Sequence, residues 1–470
     1  MILIVMLSVT TVAFPSANPP WPATYNVTQS LIQMSVNASG YRTTPNLDAQ
    51  FGITSYDWSN AKAVWAMETP MTCEEDLAKQ AKITKDQGAT HVFVYRNLVK
   101  ALPWFSTVRE KLLDPAYSGF FLSFDTSKDA SSYHVDPCAA ENATKCSFLY
   151  HDQEQTPQVP TTSNPNPDGK CPSTGCDCGP NLPCGEYVFD HSNGTMLREW
   201  LINEVILNAE TSVGNGIIDG MFIDDFWCSD LLCQEHNNTL PICPCNDPTQ
   251  GPSEMDSHAV QDMGLTDEKV REITINWMET MTYAKEALLQ QKAYTWSLIE
   301  GQAYANAYPF TIDTSSMNAT AQTDYCLKAM REACRPTSLW QHKPRLFGFA
   351  QNGTALTQVP VDIAAFLLIR GPYTYAGWGE WGMEWPIDNV PLPSEFFVDY
   401  GEPMAPCHEL ESTDGAKTGV FKREWTKAMI EFDCNSFTPS IQFSNGASGM
   451  AIGSQAFPYS FLRGGRVQLT

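Results

Sequence analysis

Short apolar runs that break off in polar residues alternate along this chain with longer stretches whose apolar positions recur at helical spacing. Residues 61–67 read as a short strand. Thr72-Cys73-Glu74-Glu75-Asp76 then opens a helix, with Thr72 as cap and acids in the first turn, and Gly88 stops it after about residue 87. His91-Val92-Phe93-Val94-Tyr95-Arg96-Asn97 reads as a second strand with a polar end, and Glu186-Tyr187-Val188-Phe189-Asp190-His191 as a third. A helix over 196–210 leads into Ile218-Asp219-Gly220-Met221-Phe222-Ile223-Asp224, a buried strand that runs straight into a second carboxylate, Asp225, and two aromatic residues, Phe226 and Trp227. The clearest helix covers 266–291, capped by Thr266. Ala293 to Glu300 is again a strand ending in an acid, followed by a helix over 321–334, a strand over 346–350, a helix over 361–370, and a strand over 373–377 that opens into Gly379-Glu380-Trp381.

A βαβα rhythm of this length implies a parallel sheet with outer helices. The expected fold class is α/β, a (β/α)8 TIM-like barrel over 51–400 with cysteine-rich loop insertions. Residues 396–401 or 420–433 are the candidates for its eighth strand. Residues 18–50 read as an extended approach to the domain, and 401–470 as a small C-terminal β region with Gly and Pro turns. The span 125–185 has little periodicity, and long segments of that kind inside a domain are often functional lids.

Composition narrows the partners. The 470 residues carry 29 Lys and Arg against 53 Asp and Glu, a net charge of −24, which argues against nucleic acid and anionic membranes because both require a basic footprint. Residues 1–17 contain an apolar run of signal-peptide length, and nothing later reaches the ~18 apolar residues of a membrane span. Sequons begin at Asn26, Asn37, Asn142, Asn193, Asn237, Asn318 and Asn352. Of the 15 cysteines, many crowd into 171–184 and 228–245. Their spacings are tighter than zinc sites use, so disulfide-stapled loops are expected, with at least one thiol left over because the count is odd. Together these features predict a secreted or extracellular glycoprotein, with a lysosomal or vacuolar location as the alternative.

The proposed strands end in acids at Asp190, Asp224 with Asp225, Glu300 and Glu380. A glycosidase needs two carboxylates, one at the anomeric carbon and one to protonate the leaving oxygen, and a barrel gathers strand ends that are far apart in sequence. Strand alternation turns Asp224 inward and Asp225 toward a neighbouring loop. The expected roles are Asp224 as nucleophile or base, Glu300 as proton donor and Asp225 as a modulator. Arg96 is expected at the barrel mouth, paired with Glu300 or binding substrate, with Asp190 and Glu380 as further polar contacts. Phe226, Trp227, Trp378 and Trp381 are candidate faces for sugar rings; Trp104 and Trp385 belong to the same aromatic set, and Trp296 reads as core. The expected partner is a neutral oligo- or polysaccharide, with no cofactor and no metal. The alternatives are a barrel that binds carbohydrate without catalysis, and a metal-dependent hydrolase using Asp190, His191, Asp224 and Asp225.

The Ile218–Asp224 segment resembles the fourth barrel strand of α-amylase-like and α-galactosidase-like hydrolases, which implies the nucleophile role for Asp224. Glu300 resembles the acid/base position of the α-amylase type. Two departures stand out: Phe222 occupies the place of the Arg those enzymes carry before the nucleophile, and no His-Asp pair resembles their seventh-strand motif. From about residue 57 to 433 the chain is similar to glycosyl-hydrolase-like barrel proteins whose activity is itself inferred from their barrel. That similarity rests on Asp57-Trp58-Ser59-Asn60-Ala61-Lys62, Val94-Tyr95-Arg96-Asn97-Leu98, the Asp219–Asp225 strand and Arg423-Glu424-Trp425.

Overall fold

The computed structural model describes residues 18–135, 137, 148–152, 177–180, 182–236, 257–297, 318–352, 355–378 and 392–444. Its strands in chain order are β1 (Ile32–Ser35), β2 (Ile53–Tyr56), β3 (His91–Asn97), β4 (Lys100–Ala101), β5 (His151–Asp152), β6 (Glu186–Val188), β7 (Gly220–Asp224), β8 (Tyr294–Ser297), β9 (Arg345–Gly348), β10 (Gln351–Asn352), β11 (Ala355–Leu356), β12 (Thr374–Gly377), β13 (His408–Glu411), β14 (Lys417–Glu424), β15 (Ala428–Asp433) and β16 (Thr438–Phe443).

Strands β1, β2, β3, β7 and β8 form one parallel sheet in that order, and β9 and β12 form a parallel pair. A parallel bridge between Leu31 and Ala376 joins the pair to β1, so seven strands run in the order β9, β12, β1, β2, β3, β7, β8. Covered on both faces, they are apolar almost throughout: every residue of β3 after His91 is buried. The helices Cys73–Asp86 and Asp267–Gln290 fill the crossovers from β2 to β3 and from β7 to β8, and Val359–Ile369 lies between β9 and β12. The side chain of Thr266 accepts from Lys269 N (3.3 Å), so it caps its helix as its sequence position implies.

The seven-stranded sheet curls. The Trp21 indole stacks on His91 (3.8 Å between centroids), meets Phe93 and Tyr294 edge-on, and donates to Tyr375 Oη (2.9 Å), thereby touching β3, β8 and β12 at once. Gly220 permits the tight packing nearby. A Cβ there would lie 2.3 Å from Tyr294 O and 2.5 Å from Phe93 Cζ, so any other residue would push β7 away from its neighbours.

Several local expectations are corrected. Residues 61–67 hold a short helix, Lys62–Trp65, in place of a strand. The stretch read as an approach to the domain supplies β1, and β2 follows directly after it. Thr72 precedes its helix without a capping bond, its hydroxyl instead reaching Asp76 Oδ2 (3.1 Å). Strand β6 is not part of the parallel sheet: it pairs antiparallel with β4 and β5 in a three-stranded sheet of its own. Neither candidate for an eighth strand serves, because Ser394–Phe397 is a 3-10 turn and residues 420–433 belong to an antiparallel sheet.

That antiparallel sheet, β13–β14–β15–β16, closes the C-terminal region. It packs on the helix Val359–Ile369, whose residues from Asp362 onward are all buried. Arg423 on β14 holds the end of this helix, donating from Nη1 to Leu367 O (3.2 Å), Leu368 O (2.9 Å) and Arg370 O (2.7 Å). The helix Ala319–Ala333 is tied to the same sheet by a two-pronged Arg331–Glu409 ion pair and two disulfides, Cys326–Cys434 and Cys334–Cys407. A third bridge, Cys178–Cys184, lies inside the first cysteine-rich loop, and Cys228 and Cys233 in the second are also oxidised. Among the described residues Cys73 is a buried free thiol, and no helix is long and apolar enough to cross a membrane.

Candidate active site

The parallel register fixes which side chains share a face. Phe93, Tyr95 and Asn97 of β3 stand opposite Gly220, Phe222 and Asp224 of β7, and Ser55 of β2 stands opposite Phe93. Side chains two apart on a strand point the same way, so Asp57, just past β2, continues the row of Ser55. The C-terminal ends of three adjacent strands therefore present Asn97 and Asp224 level with each other and Asp57 one inward step below, level with Tyr95. Such an end is where α/β sheets place their ligand sites, because the chain leaves the sheet there and polar groups meet solvent.

Asp225 enters this group against the parity expectation. Strand β7 ends at Asp224, and Asp225 has a left-handed backbone (φ 60°), so strand alternation no longer governs its side chain. Its buried carboxylate accepts from Asn97 Nδ2 (2.5 Å) and lies 3.6 Å from Lys100 Nζ. Lys100 also pairs with Glu186 (2.9 Å), a buried acid that burial pushes above the usual carboxylate range against the pull of the lysine. Burial likewise raises Asp57, offset by bonds from Ser59 N (2.9 Å) and Oγ (2.6 Å) and by the charge of Lys62. Asp224 is only half-buried. Of the two adjacent acids, Asp225 is locked to an amide and a lysine, and Asp224 keeps the more open face.

Tyr95 lies beneath these acids. Its hydroxyl accepts from Asn97 Nδ2 (2.9 Å), and its phenol is held well above the ordinary value by burial first, then by Asp224, Asp225 and Asp57. The half-buried Trp58 borders the same end, with the Lys62 ammonium 4.6 Å over its ring and Trp104 at 5.3 Å.

Other expected site residues are placed elsewhere. Arg96 alternates away from the row and is wholly buried on the helix side, paired with Glu74 (3.2 Å) and donating to Thr211 O and Tyr95 O (each 2.7 Å), so it is structural and does not reach the mouth. Asp190 caps the 3-10 turn His191–Asn193, accepting from Ser192 N (3.0 Å). His191 is buried against Leu98 O (2.5 Å), with Thr280 Oγ1 3.5 Å from its other nitrogen, and so is not placed to ligate a metal with Asp224. No group of three potential metal ligands gathers among the described residues. Phe226, Trp227 and Trp104 are buried, and Trp378 is core, stacked on Phe396 (6.2 Å) and tilted against Phe51; none offers an open face to a sugar. Apolar rings bury wherever a second layer covers them, which strand position alone does not reveal. Glu300, Glu380, Trp381, Trp385 and the side chain of Trp296 lie outside the described residues.

The sequence pattern did not single out Asp57, Tyr95, Asn97, Lys100 or Glu186 as site residues. The available signal was a hydroxyl, amide or acid at the last inward positions of β2 and β3, next to two strands already suspected.

No family model and no curated protein matches this chain. Among solved structures it is similar to sucrose 6F-phosphate phosphorylase from Thermoanaerobacter thermosaccharolyticum at 8% identity and TM-score 0.39, covering 89% of this chain and 96% of that one. It is similar to Bacillus licheniformis trehalose-6-phosphate hydrolase at 8% identity and TM-score 0.33, covering 76% and 66%, and to a family GH13_31 enzyme at 10% identity and TM-score 0.31, covering 86% and 91%.

Proposed function

We propose that this protein is a secreted glycoside hydrolase acting on a neutral oligo- or polysaccharide, built on a (β/α)8 barrel. The observation that carries the reading is the set Asp57, Asn97, Asp224 at the C-terminal ends of three adjacent parallel strands, with Asp225 drawn into it. Barrel enzymes build their sites at that end. Closure of the barrel is supported by Trp21, which contacts strands near both ends of the seven-stranded order. Asp224 is the carboxylate that attacks or activates water at the anomeric carbon. Glu300 is proposed as the proton donor: β8 is the parallel neighbour of β7, and it ends at Ser297 on the same edge as Asp224, three residues before Glu300 in sequence. Asp225 is a fixed negative charge beside the pair.

The test is a panel of polysaccharides and aryl glycosides assayed with the full chain and three variants. Asp224→Asn is expected to fall to background while still binding saccharide. Glu300→Gln is expected to lose about 10²–10⁴-fold on substrates with poor leaving groups and far less on activated ones. Asp225→Asn should keep more activity than Asp224→Asn. Full activity in all three would place the site elsewhere. A catalytically silent, carbohydrate-binding barrel is the second reading, favoured by the pairing of Asp225 and Glu186 with Lys100. Saccharide binding by a chain that cleaves nothing on the panel would select it.

A further inference from the structure

Four of the sequons lie wholly within the described residues: Asn26-Val27-Thr28, Asn37-Ala38-Ser39, Asn193-Gly194-Thr195 and Asn318-Ala319-Thr320. Asn37 is half-buried, whereas Asn26, Asn193 and Asn318 are exposed. Exposure does not separate those three from one another. The two ends of their amide groups do.

In Asn26, Oδ1 accepts from the Thr28 hydroxyl (2.7 Å) and from Gln29 N (3.0 Å). In Asn318, Oδ1 caps the helix Ala319–Ala333 by accepting from Ala321 N (2.9 Å). A backbone N–H only donates, so in both residues the oxygen is the end that faces the chain. The nitrogen is left free, with no partner among the described residues. Asn193 is the reverse. Its Nδ2 donates to Gly119 O (2.7 Å), and a carbonyl oxygen only accepts, so here the nitrogen is the end held against the chain. That bond ties the turn His191–Asn193 to the turn Pro115–Phe120. The approach is close, since a Cβ on Gly119 would lie 3.2 Å from Nδ2.

We propose that Asn26 and Asn318 carry N-linked glycans and that Asn193 does not. This rests on the reading of the protein as secreted, which brings the chain to the glycosylating machinery. The donor is a lipid-linked diphospho-oligosaccharide. A bond forms between Nδ2 and C1 of its first sugar, the C1–O bond to the diphosphate breaks, and Nδ2 gives up one proton. A glycan is bulky and must lie in solvent. At Asn26 and Asn318 the turn and the cap use Oδ1 alone, so the modified side chain keeps its hydrogen bonds and the fold is undisturbed. At Asn193 the sugar would crowd the Gly119 peptide, and the tie between the two turns would be given up. Chains modified there are therefore selected against among folded, secreted molecules.

The experiment uses the full chain secreted from a eukaryotic cell line that performs N-glycosylation. The denatured protein is treated with peptide N-glycosidase in heavy-oxygen water, which turns each glycan-bearing Asn into labelled Asp, and its peptides are mapped by mass spectrometry. Label is expected at Asn26 and Asn318 in most molecules and at Asn193 in almost none. Thr320→Ala changes an exposed side chain and leaves the Asn318 cap in place; it should remove the Asn318 label alone. Label at Asn193, or an unlabelled Asn26 or Asn318 in a chain labelled at another sequon, overturns the proposal and keeps the secreted reading. A chain with no label at any sequon sinks both.

Discussion

At Asp225 a single backbone angle decides a side chain's role. Period-2 alternation sends the residue after Asp224 to the other face of the sheet, but the strand has ended and φ has turned positive, so the carboxylate meets Asn97 and Lys100. Asp and Asn tolerate this conformation better than β-branched residues do, which suits Asp225→Asn as a test that leaves the backbone unstrained. His191 shows how burial alone sets a charge. Its imidazole is pushed down from 6.5 to about 4 because burial disfavours the cation, only partly offset by Leu98 O. The unfolded chain therefore takes up the proton first as pH falls. The stabilisation is fully present above pH 6.5 and is lost as pH drops toward 4. We expect His191 to account for about 2–3 kcal/mol of acid destabilisation across that window. Urea unfolding at about pH 7.5 and about pH 4.5 should show a smaller loss in His191→Gln than in the parent. Equal losses would mean that His191 is charged or exposed in the native state.

Among the elements, the C-terminal sheet is held to the rest of the chain by covalent and ionic ties at one helix. Cys326–Cys434 and Cys334–Cys407 close sequence separations of 108 and 73 residues, whereas Cys178–Cys184 closes only 6. A crosslink restricts the unfolded chain more as the loop it closes grows, so the first two should matter most. Replacing Cys326 and Cys434 together by Ala is expected to lower unfolding free energy by about 2–4 kcal/mol, and the same change at Cys178 and Cys184 by less. Denaturation midpoints under non-reducing conditions decide it, and equal losses would count against the loop-length argument. The same region shows why β14 and β15 are not strands of the parallel sheet. Burial in β14 alternates between inward and outward residues, as in a sheet with one covered face, whereas the parallel strands are buried throughout.

For the molecule as a whole, one N-terminal side chain links strands that are remote in sequence. Trp21 joins β3, β8 and β12, and Trp21→Ala should cost about 2–4 kcal/mol in unfolding free energy, measured by urea denaturation. A neutral effect would mean that the sheet does not depend on this plug to hold its curl. The parallel α/β character, strands β3, β7, β8, β9 and β12, and the Asp224–Asp225 pair at a strand end were all legible in the sequence, since strands buried on both faces appear as apolar runs with abrupt polar ends. Strand β1 was masked by its Gln and Ser positions, and β6 looked like its parallel counterparts because pairing direction leaves no trace in a run of three residues. Only the tertiary structure could show that Arg96 faces the helices, that Trp227 and Trp378 are core, and that Tyr95, Asn97, Lys100 and Glu186 surround the acids. The physical reason is that local pattern encodes what a residue needs, water or its exclusion, while partners far along the chain decide which neighbour meets that need.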